Sequence, residues 1–266
     1  MGEFRPECDG SQDFDMTLRL TEKANMVYHL PKVLYFWRSH PGSVASGIEA
    51  KTYCLDSAKK ALSDHLDRIG LAGSVEDSSF ASSYHIKYEI KGNPMISILI
   101  PNKDHIGELE TCLGSVFDKT TYRNFEIVII ENGSEEEETF AYYRQLENDY
   151  GEKVRIVTWN YGFNYAAINN FGAKAAKGDY LLLLNNDTEV ITPDWLQEML
   201  MFAQREDVGV VGSMMYFGDD TIQHAGIIMG IGGTAGHSHK GLKRGSAGYL
   251  CKLAIAQDVS GVTGAC

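Results

Sequence analysis

From residue 95 onward, short unbroken apolar runs alternate with longer segments of helical periodicity, and each apolar run stops at polar turn residues. Such runs predict strands buried on both faces, although a buried piece of helix has the same composition. A strand over 96–100 ends in Pro101-Asn102-Lys103-Asp104, and one over 125–130 ends in Glu131-Asn132-Gly133-Ser134. A third, over 154–157, precedes the polar turn 160–164. The most pronounced is GDYLLLLNNDTEV at 178–190, where a Gly-Asp turn leads into Tyr180 and four leucines and halts at Asn185-Asn186-Asp187. Helices are expected over 107–117, from the acidic run 135–138 through Tyr142, Tyr143 and Leu146, and over 166–176. Thr192 with Pro193 behind it predicts the start of another helix, and 208–211 one more strand. The pattern is βαβαβαβα, an α/β domain with a mostly parallel sheet and helices on both faces.

Before residue 94 the pattern is different, a smaller α+β or helical segment. MTLRLTEKA, at 16–24, suits a short helix. The apolar runs 27–30 and 33–37, split by Pro31, suit two short strands, or a strand and a turn. A clear helix is predicted over 55–70, with Ala58, Ala61, Leu62, Leu66 and Ile69 as its stripe, Asp56 or Ser57 as cap and Gly70 just past its end. Residues 73–83, with five serines, read as a loop.

Composition narrows the classes. With 266 residues, 44% hydrophobic and 23% charged, the chain can bury a real core. A net charge of −12 argues against a nucleic-acid surface, which needs clustered Lys and Arg. Cys8, Cys54, Cys112, Cys251 and Cys266 are scattered without a CxxC pair, which fits a reducing compartment. No apolar run approaches membrane-spanning length, so a cytoplasmic location is expected.

The candidate chemistry follows from where polar residues fall. Asn102 with Asp104, Glu131 with Asn132, and Asn185 with Asp187 each follow the carboxyl end of a predicted strand, and in a parallel sheet those ends share one edge. Asp187 either starts a turn or holds a hard divalent cation beside a phosphate. Three polar clusters on one edge point to a ligand with several hydroxyls and a metal-bound phosphate. Neither GxGxxG nor GxxxxGK[ST] occurs in the required place, so dinucleotide and P-loop readings lack their phosphate cradle. The run 230–233, Gly-Ile-Gly-Gly, reads as a tight or mobile loop. His224, His237 and His239 read as solvated loop residues, since no third ligand stands at a recognisable spacing. Asp13 and Asp15, taken alone, are first-turn acids of a helix.

ISILIPNKDH, EIVIIENGS, and GDYLLLLNNDTEV followed by PDW resemble the nucleotide-sugar half of a family 2 glycosyltransferase of GT-A fold, over about 94–266. The resemblance implies a nucleotide diphosphate sugar, UDP- or dTDP-linked, lying across the strand ends, with Pro101, Asn102 and Asp104 near the base. It puts Glu131 in place of the usual aspartate at base or ribose, and Asn169 where many relatives carry a phosphate-contacting arginine. Asn185-Asn186-Asp187 takes the place of the DxD motif, with Asp187 its retained ligand for Mn2+ or Mg2+. GSQDFDMTLRLTEKA and HLPKVLYFWRSHPGS resemble the tail of the same kind of domain, with Asp13 at the catalytic-base position. The chain then reads as a segment of a tandem enzyme: 1–44 the tail of one unit, 45–93 a helical linker, and 94–266 a C-terminally incomplete donor half.

What the resemblance implies is inverting transfer of a sugar to a glycan or lipid-linked acceptor, in bacterial surface-polysaccharide synthesis. A peripheral place at the inner membrane face is compatible with it. A non-catalytic nucleotide-sugar-binding or scaffold unit of a multidomain glycosyltransferase is the alternative. A sugar-nucleotide nucleotidyltransferase shares the sheet but needs a Gly-rich basic loop after the first strand, which PNKDHIGE is not.

Overall fold

Arginine–carboxylate pairs, rather than a long apolar run, organise the leading part of the chain. The computed structural model describes residues 2–36, 38 and 53–266, and these divide into two units, one up to Glu89 with Gly245–Asp258, the other Ile90–Arg244 with Val259–Cys266. In the first unit, helix α1 (Gln12–Thr21) packs on α2 (Tyr53–Ile69). Asp15 is fully buried, and Arg19 and Arg5 reach its carboxylate at 2.9 and 2.6 Å, while Arg5 also meets Asp64 at 2.7 Å. Burial opposes the Asp15 charge, but the two guanidinium groups hold its carboxyl below the usual range. Glu22 is pulled down to about 2, chiefly by Arg68, with His65 adding a second bond. Helix α2 buries Ala58, Ala61 and Leu66 of its predicted stripe, half-buries Leu62 and leaves Ile69 exposed, and Gly70 follows it in the left-handed region at φ 71°. It already includes Tyr53, so Asp56 and Ser57 lie inside it rather than capping it.

Other expectations also fail in this unit. Residues 73–83 are not a loop: β1 (Gly73–Asp77) pairs antiparallel with β2 (Tyr84–Tyr88), and the serine-rich stretch is the turn between them. Both strands are mostly half-buried or exposed, so no alternation marks them. Gly73 permits the pairing, because a Cβ there would meet the Lys87 carbonyl at 2.6 Å. Residues 27–30 and 33–36 form no strand, and their apolar side chains are exposed. Trp37 lies outside the described residues. Gly245–Asp258, read by sequence as part of 94–266, belongs to this unit, where the Ser78 hydroxyl donates to the Ala254 carbonyl at 2.7 Å. Of the 45–93 segment read as a helical linker, residues 45–52 lie outside the described residues.

The second unit is the expected α/β domain. Its elements are β3 (Ile96–Asn102), α3 (Ile106–Lys119), β4 (Phe125–Glu131), α4 (Glu137–Tyr150), β5 (Val154–Thr158), α5 (Tyr165–Ala175), β6 (Tyr180–Leu183) and α6 (Trp195–Ala203). The four strands are all parallel, in the order β5-β4-β3-β6. The period-2 geometry of a strand explains the unbroken apolar runs. Ile98, Ile100, Ile127 and Ile129 enter one core with Leu109 and Leu113 of α3, Leu146 of α4 and Leu196 of α6. Leu99, Val128 and Ile130 point the other way and meet Ile168 of α5. Strand β6 is at the sheet edge, so Leu181 is 52% exposed rather than buried on both faces as its leucine run suggests.

Gly178 opens β6 under a tight constraint. A Cβ there would lie 2.7 Å from both the Met95 carbonyl oxygen and the Ser97 amide nitrogen, backbone atoms that cannot rotate away. Gly178→Ala is therefore expected to destabilise the unit by about 1–3 kcal/mol in urea unfolding, an overpacking cost.

Beyond the sheet the outline departs from expectation. Helix α6 starts at Trp195, not Thr192, whose carbonyl accepts the Trp195 amide. Residues 208–211 form no strand, and Gly209 and Val210 are exposed. The chain instead makes two hairpins, β7 (Met215–Tyr216) with β8 (Ile222–His224), and β9 (Ile227–Met229) with β10 (Ala235–His237). Gly230, Gly232 and Gly233, all at positive φ, turn the second one. His224 is 1% exposed, contrary to a solvated-loop reading.

Candidate functional site

Strand order places the site. From β3 the chain moves outward to β4 and β5, then returns to lay β6 on the other side of β3. The crevice at the carboxyl ends of β3 and β6 is thus a topological switch point, where open parallel sheets take their ligands. Register aligns Asn102 with Glu131, and Glu131 with Thr158.

The three polar clusters join into one hydrogen-bonded chain across that edge. Asn186 donates to Asn102 Oδ1 at 2.7 Å, and Asn102 Nδ2 donates to the Tyr143 hydroxyl at 2.8 Å and the Asp104 carbonyl at 2.9 Å. Tyr143 in turn donates to Glu131 Oε2 at 2.8 Å, and the same carboxylate accepts the amide and hydroxyl of Ser134. Burial drives the Tyr143 phenol well above its ordinary pKa, so it remains a donor at neutral pH. Asn102 and Glu131 are each 3% exposed. Their polar atoms are occupied within the protein, and what they contribute is the placement of the loops after β3 and β4.

Tyr143→Phe tests that role. It strips one acceptor from Asn102 and one donor from Glu131, both buried, and should cost about 1–3 kcal/mol in urea unfolding. A change near zero would mean that the network contributes nothing.

Asp104 acts as a cap. Its backbone is left-handed at φ 50°, and its Oδ1 accepts the amides of Glu135 and Glu136 at 3.0 and 3.1 Å and the Thr139 hydroxyl at 3.3 Å. These bonds, the Glu136 amide first, hold its carboxyl below the usual value. The start of α4, which follows an acidic run, thus takes its capping oxygen from another loop. Pro101, half-buried, is paired in register with Ile130.

The Asp187 turn differs from the others. Thr188 donates to the Asn185 carbonyl at 2.8 Å, the Val190 amide to Ser115 at 2.9 Å, and the Asn185 amide to the Ala265 carbonyl at 3.0 Å. Cys112 is buried beneath it, its thiol pushed up to about 11 by desolvation and therefore neutral. On this stitched turn the Asp187 side chain is exposed, and among the described residues no hydrogen bond or ion pair engages its carboxylate. It borders an open depression of about 450 Å³, lined also by Gly107, Glu108, Thr111, Thr188 and Glu189. Asn186 spends only amide hydrogens on Asn102, so carboxylate and amide oxygens remain at the turn. That donor set suits a hard divalent cation that also takes oxygens from a phosphate. Among the described residues no group of three or more His, Cys, Asp or Glu forms a closed metal site.

Asn169, on α5, is 6% exposed and donates to the Tyr165 carbonyl at 2.9 Å, while its Oδ1 is buried without a partner. Asp13 lies in the other unit, exposed in the first turn of α1, with an oxygen accepting the Phe14 amide at 2.9 Å. Sequence reasoning missed Tyr143 and Ser134 as site residues. Ser134 stood in plain view in the polar run after β4, whereas Tyr143 looked like one more apolar residue of α4.

Residues 97–243, more than half of the chain, match the model of a family described as glycosyl transferase family 2. The chain belongs to that family. It is 40% identical over 269 residues to the uncharacterized protein y4gI of Sinorhizobium fredii, covering 100% of this chain and 30% of that one. It is 41% identical over 241 residues to the O-antigen biosynthesis protein RfbC of Myxococcus xanthus, covering 89% of this chain and 18% of that one. The chain therefore spans less than a third of either relative. Among solved structures, a mannosyltransferase from Pyrobaculum calidifontis, in complex with GDP-Man and Mn2+, aligns with a TM-score of 0.44 at 17% identity, over 50% of this chain and 38% of that one. The family is one of glycosyl transfer. Among the described residues no helix is long and apolar enough to cross a membrane.

Proposed function

We propose that the sheet unit holds a nucleotide diphosphate sugar across the carboxyl ends of β3, β4 and β6. The sugar then passes with inversion to a glycan or lipid-linked acceptor in bacterial cell-surface polysaccharide synthesis, at the inner face of the membrane. One observation carries this reading: Asp187 stands exposed and unengaged at the switch point, on a turn tied to Asn102 through Asn186. Similarity to an O-antigen biosynthesis protein supports the polysaccharide context.

Asp187, with Asn185 beside it, would hold Mn2+ or Mg2+, which when bound offsets the charge growing on the departing diphosphate. Asn102, Glu131 and Asp104 act from beneath, fixing the loops against which a UDP or dTDP base and ribose rest. The acceptor hydroxyl needs a carboxylate base to take its proton as it attacks, and Asp13 is exposed as such a base must be. We assign it that role for its own unit.

Binding without turnover is the second reading, favoured by Asn185 in place of an acid, which leaves the metal one charge fewer. Incubation with UDP- and dTDP-sugars, Mn2+ and a glycan acceptor separates the two. Release of nucleoside diphosphate with an inverted anomeric centre in the product, read by NMR, is the expected result. A retained configuration would sink the mechanism, and binding without release would establish the second reading.

A further inference from the structure

His224 ends β8 and is almost fully buried, with both ring nitrogens engaged. Its Nε2 lies 3.3 Å from the Gly226 amide and 3.3 Å from the Thr263 amide. Backbone N–H groups only donate, so Nε2 accepts and the ring proton sits on Nδ1. That nitrogen is 2.9 Å from Nδ1 of His237, which must therefore accept and carry its own proton on Nε2. His237, on β10, is exposed.

The Thr263 amide belongs to a segment that reaches the Asp187 turn. Ile227 and Gly261 form an isolated antiparallel bridge, with bonds of 2.8 and 3.1 Å that hold Gly261 and Ser260. The Ala265 amide donates to Thr263 Oγ1 at 3.3 Å, and the Ala265 carbonyl accepts the Asn185 amide at 3.0 Å. Tyr165 donates to the Gly264 carbonyl between them. One continuous path thus runs from His237 through His224, Thr263 and Ala265 to Asn185, the first residue of the Asn185-Asn186-Asp187 turn.

We propose that His224, fixed in one tautomer by His237, is a positioning residue for the Asp187 turn, and that protonation of the pair withdraws its support. The functional weight of this rests on the donor-site reading above, while the hydrogen-bond path stands independently of it. A proton added to His237 makes its Nδ1 a donor facing another donor. His224 can then keep that contact only by moving its own proton to Nε2, against the Gly226 and Thr263 amides. Either arrangement costs a bond on the path. Burial, and then the neighbouring ring, disfavour charge on His224 itself.

The surroundings add few charges. Strand β9 and the segment 259–265 carry no ionisable side chain. Strand β7 brings Tyr216, with the Arg244 guanidinium 4.2 Å from its ring centroid. After β10 come His239, whose Nδ1 bonds the Ser238 hydroxyl, and Lys240, placed 5.6 Å from the Phe217 ring centroid.

Amide hydrogen exchange by NMR, on the whole chain and its variants, tests the proposal. His224→Ala should lower protection of both Thr263 and Asn185 about tenfold, the size of one lost hydrogen bond. His224→Gln places an oxygen near Nε2 that accepts the same amides and does not titrate, so it should stay near wild type. Between about pH 7.5 and 5.5, after correction for intrinsic exchange, wild-type Asn185 should lose protection and His224→Gln should not. Leu99 and Val128, in the sheet, report that the fold persists. Asn185 protection unmoved in His224→Ala, or a pH response surviving in His224→Gln, would overturn the proposal. Should the alanine variant not fold, wild type against His224→Gln across pH decides alone. UDP with Mn2+ added to the same samples separates the two readings: wild type that binds none contradicts the donor site and leaves the exchange result standing.

Discussion

Asp187→Ala is expected to weaken metal-dependent binding of UDP or dTDP by about a hundredfold or more, since loss even of a ligand's outer partner costs roughly ten- to a hundredfold in metal affinity. The size follows from the donor set. Asp187 is the one carboxylate in the Asn185-Asn186-Asp187 turn, and the flanking amides supply dipoles rather than charge. Without Asp187 that turn would offer a divalent cation only neutral oxygens and no anionic one. Its exposed, unengaged side chain also makes the variant a clean one. Unfolding free energy should shift by less than about 0.5 kcal/mol, as for an ordinary surface change. Asp187→Asn should match alanine in binding, because charge rather than shape is what is lost. Without Mn2+, wild type and both variants should bind equally weakly. Calorimetric titration reads each comparison, and equal affinity of wild type and variant in Mn2+ would remove Asp187 from the site.

Glu131→Gln should have the largest effect among changes at the strand ends, and through stability first. All three partners of this carboxylate donate to it: the Ser134 amide, the Ser134 hydroxyl and the Tyr143 hydroxyl. A glutamine of the same shape turns one oxygen into an NH2, which must face a donor in a site only 3% exposed. Hydroxyls can rotate to relieve part of that conflict, and the Ser134 amide cannot. The expected cost is about 2–3 kcal/mol, the range for a buried hydrogen bond to a charged group. Nucleotide affinity should fall with it, since Ser134 also accepts the Asp104 amide at 2.8 Å and so ties the loop after β4 to the loop after β3. Urea unfolding and titration on one preparation give both numbers. Unchanged stability would mean that Glu131 is held there for the ligand and not for the loops.

The core of the sheet was legible because its physics is local. Strands buried on both faces need unbroken apolar runs, and residues 96–100 and 125–130 supply them, each halted by polar turn residues. The carboxyl-edge clusters were legible for the same reason, since a strand's end and the side of the sheet it faces follow from topology. What escaped depended on partners distant in sequence. The hairpin at 73–88 has little buried side chain, so its strands leave no period-2 trace. Tyr143 could be recognised as polar machinery only once Asn102 and Glu131 were known to flank its hydroxyl. Leu181 looked as buried as its neighbours because a sequence does not say which strand is last in the sheet. His224 looked solvated among glycines and histidines, but it is buried, and one of the amides its ring accepts is that of Thr263, 39 positions away.

Paramagnetic broadening by Mn2+ in the presence of UDP or dTDP tests the central claim most directly. The account expects amide signals of residues 185–188 and 102–104 to broaden only when nucleotide and Mn2+ are both present, and to stay sharp in Asp187→Ala. Broadening centred elsewhere, or none with either nucleotide, would contradict a donor site at the carboxyl edge of this sheet.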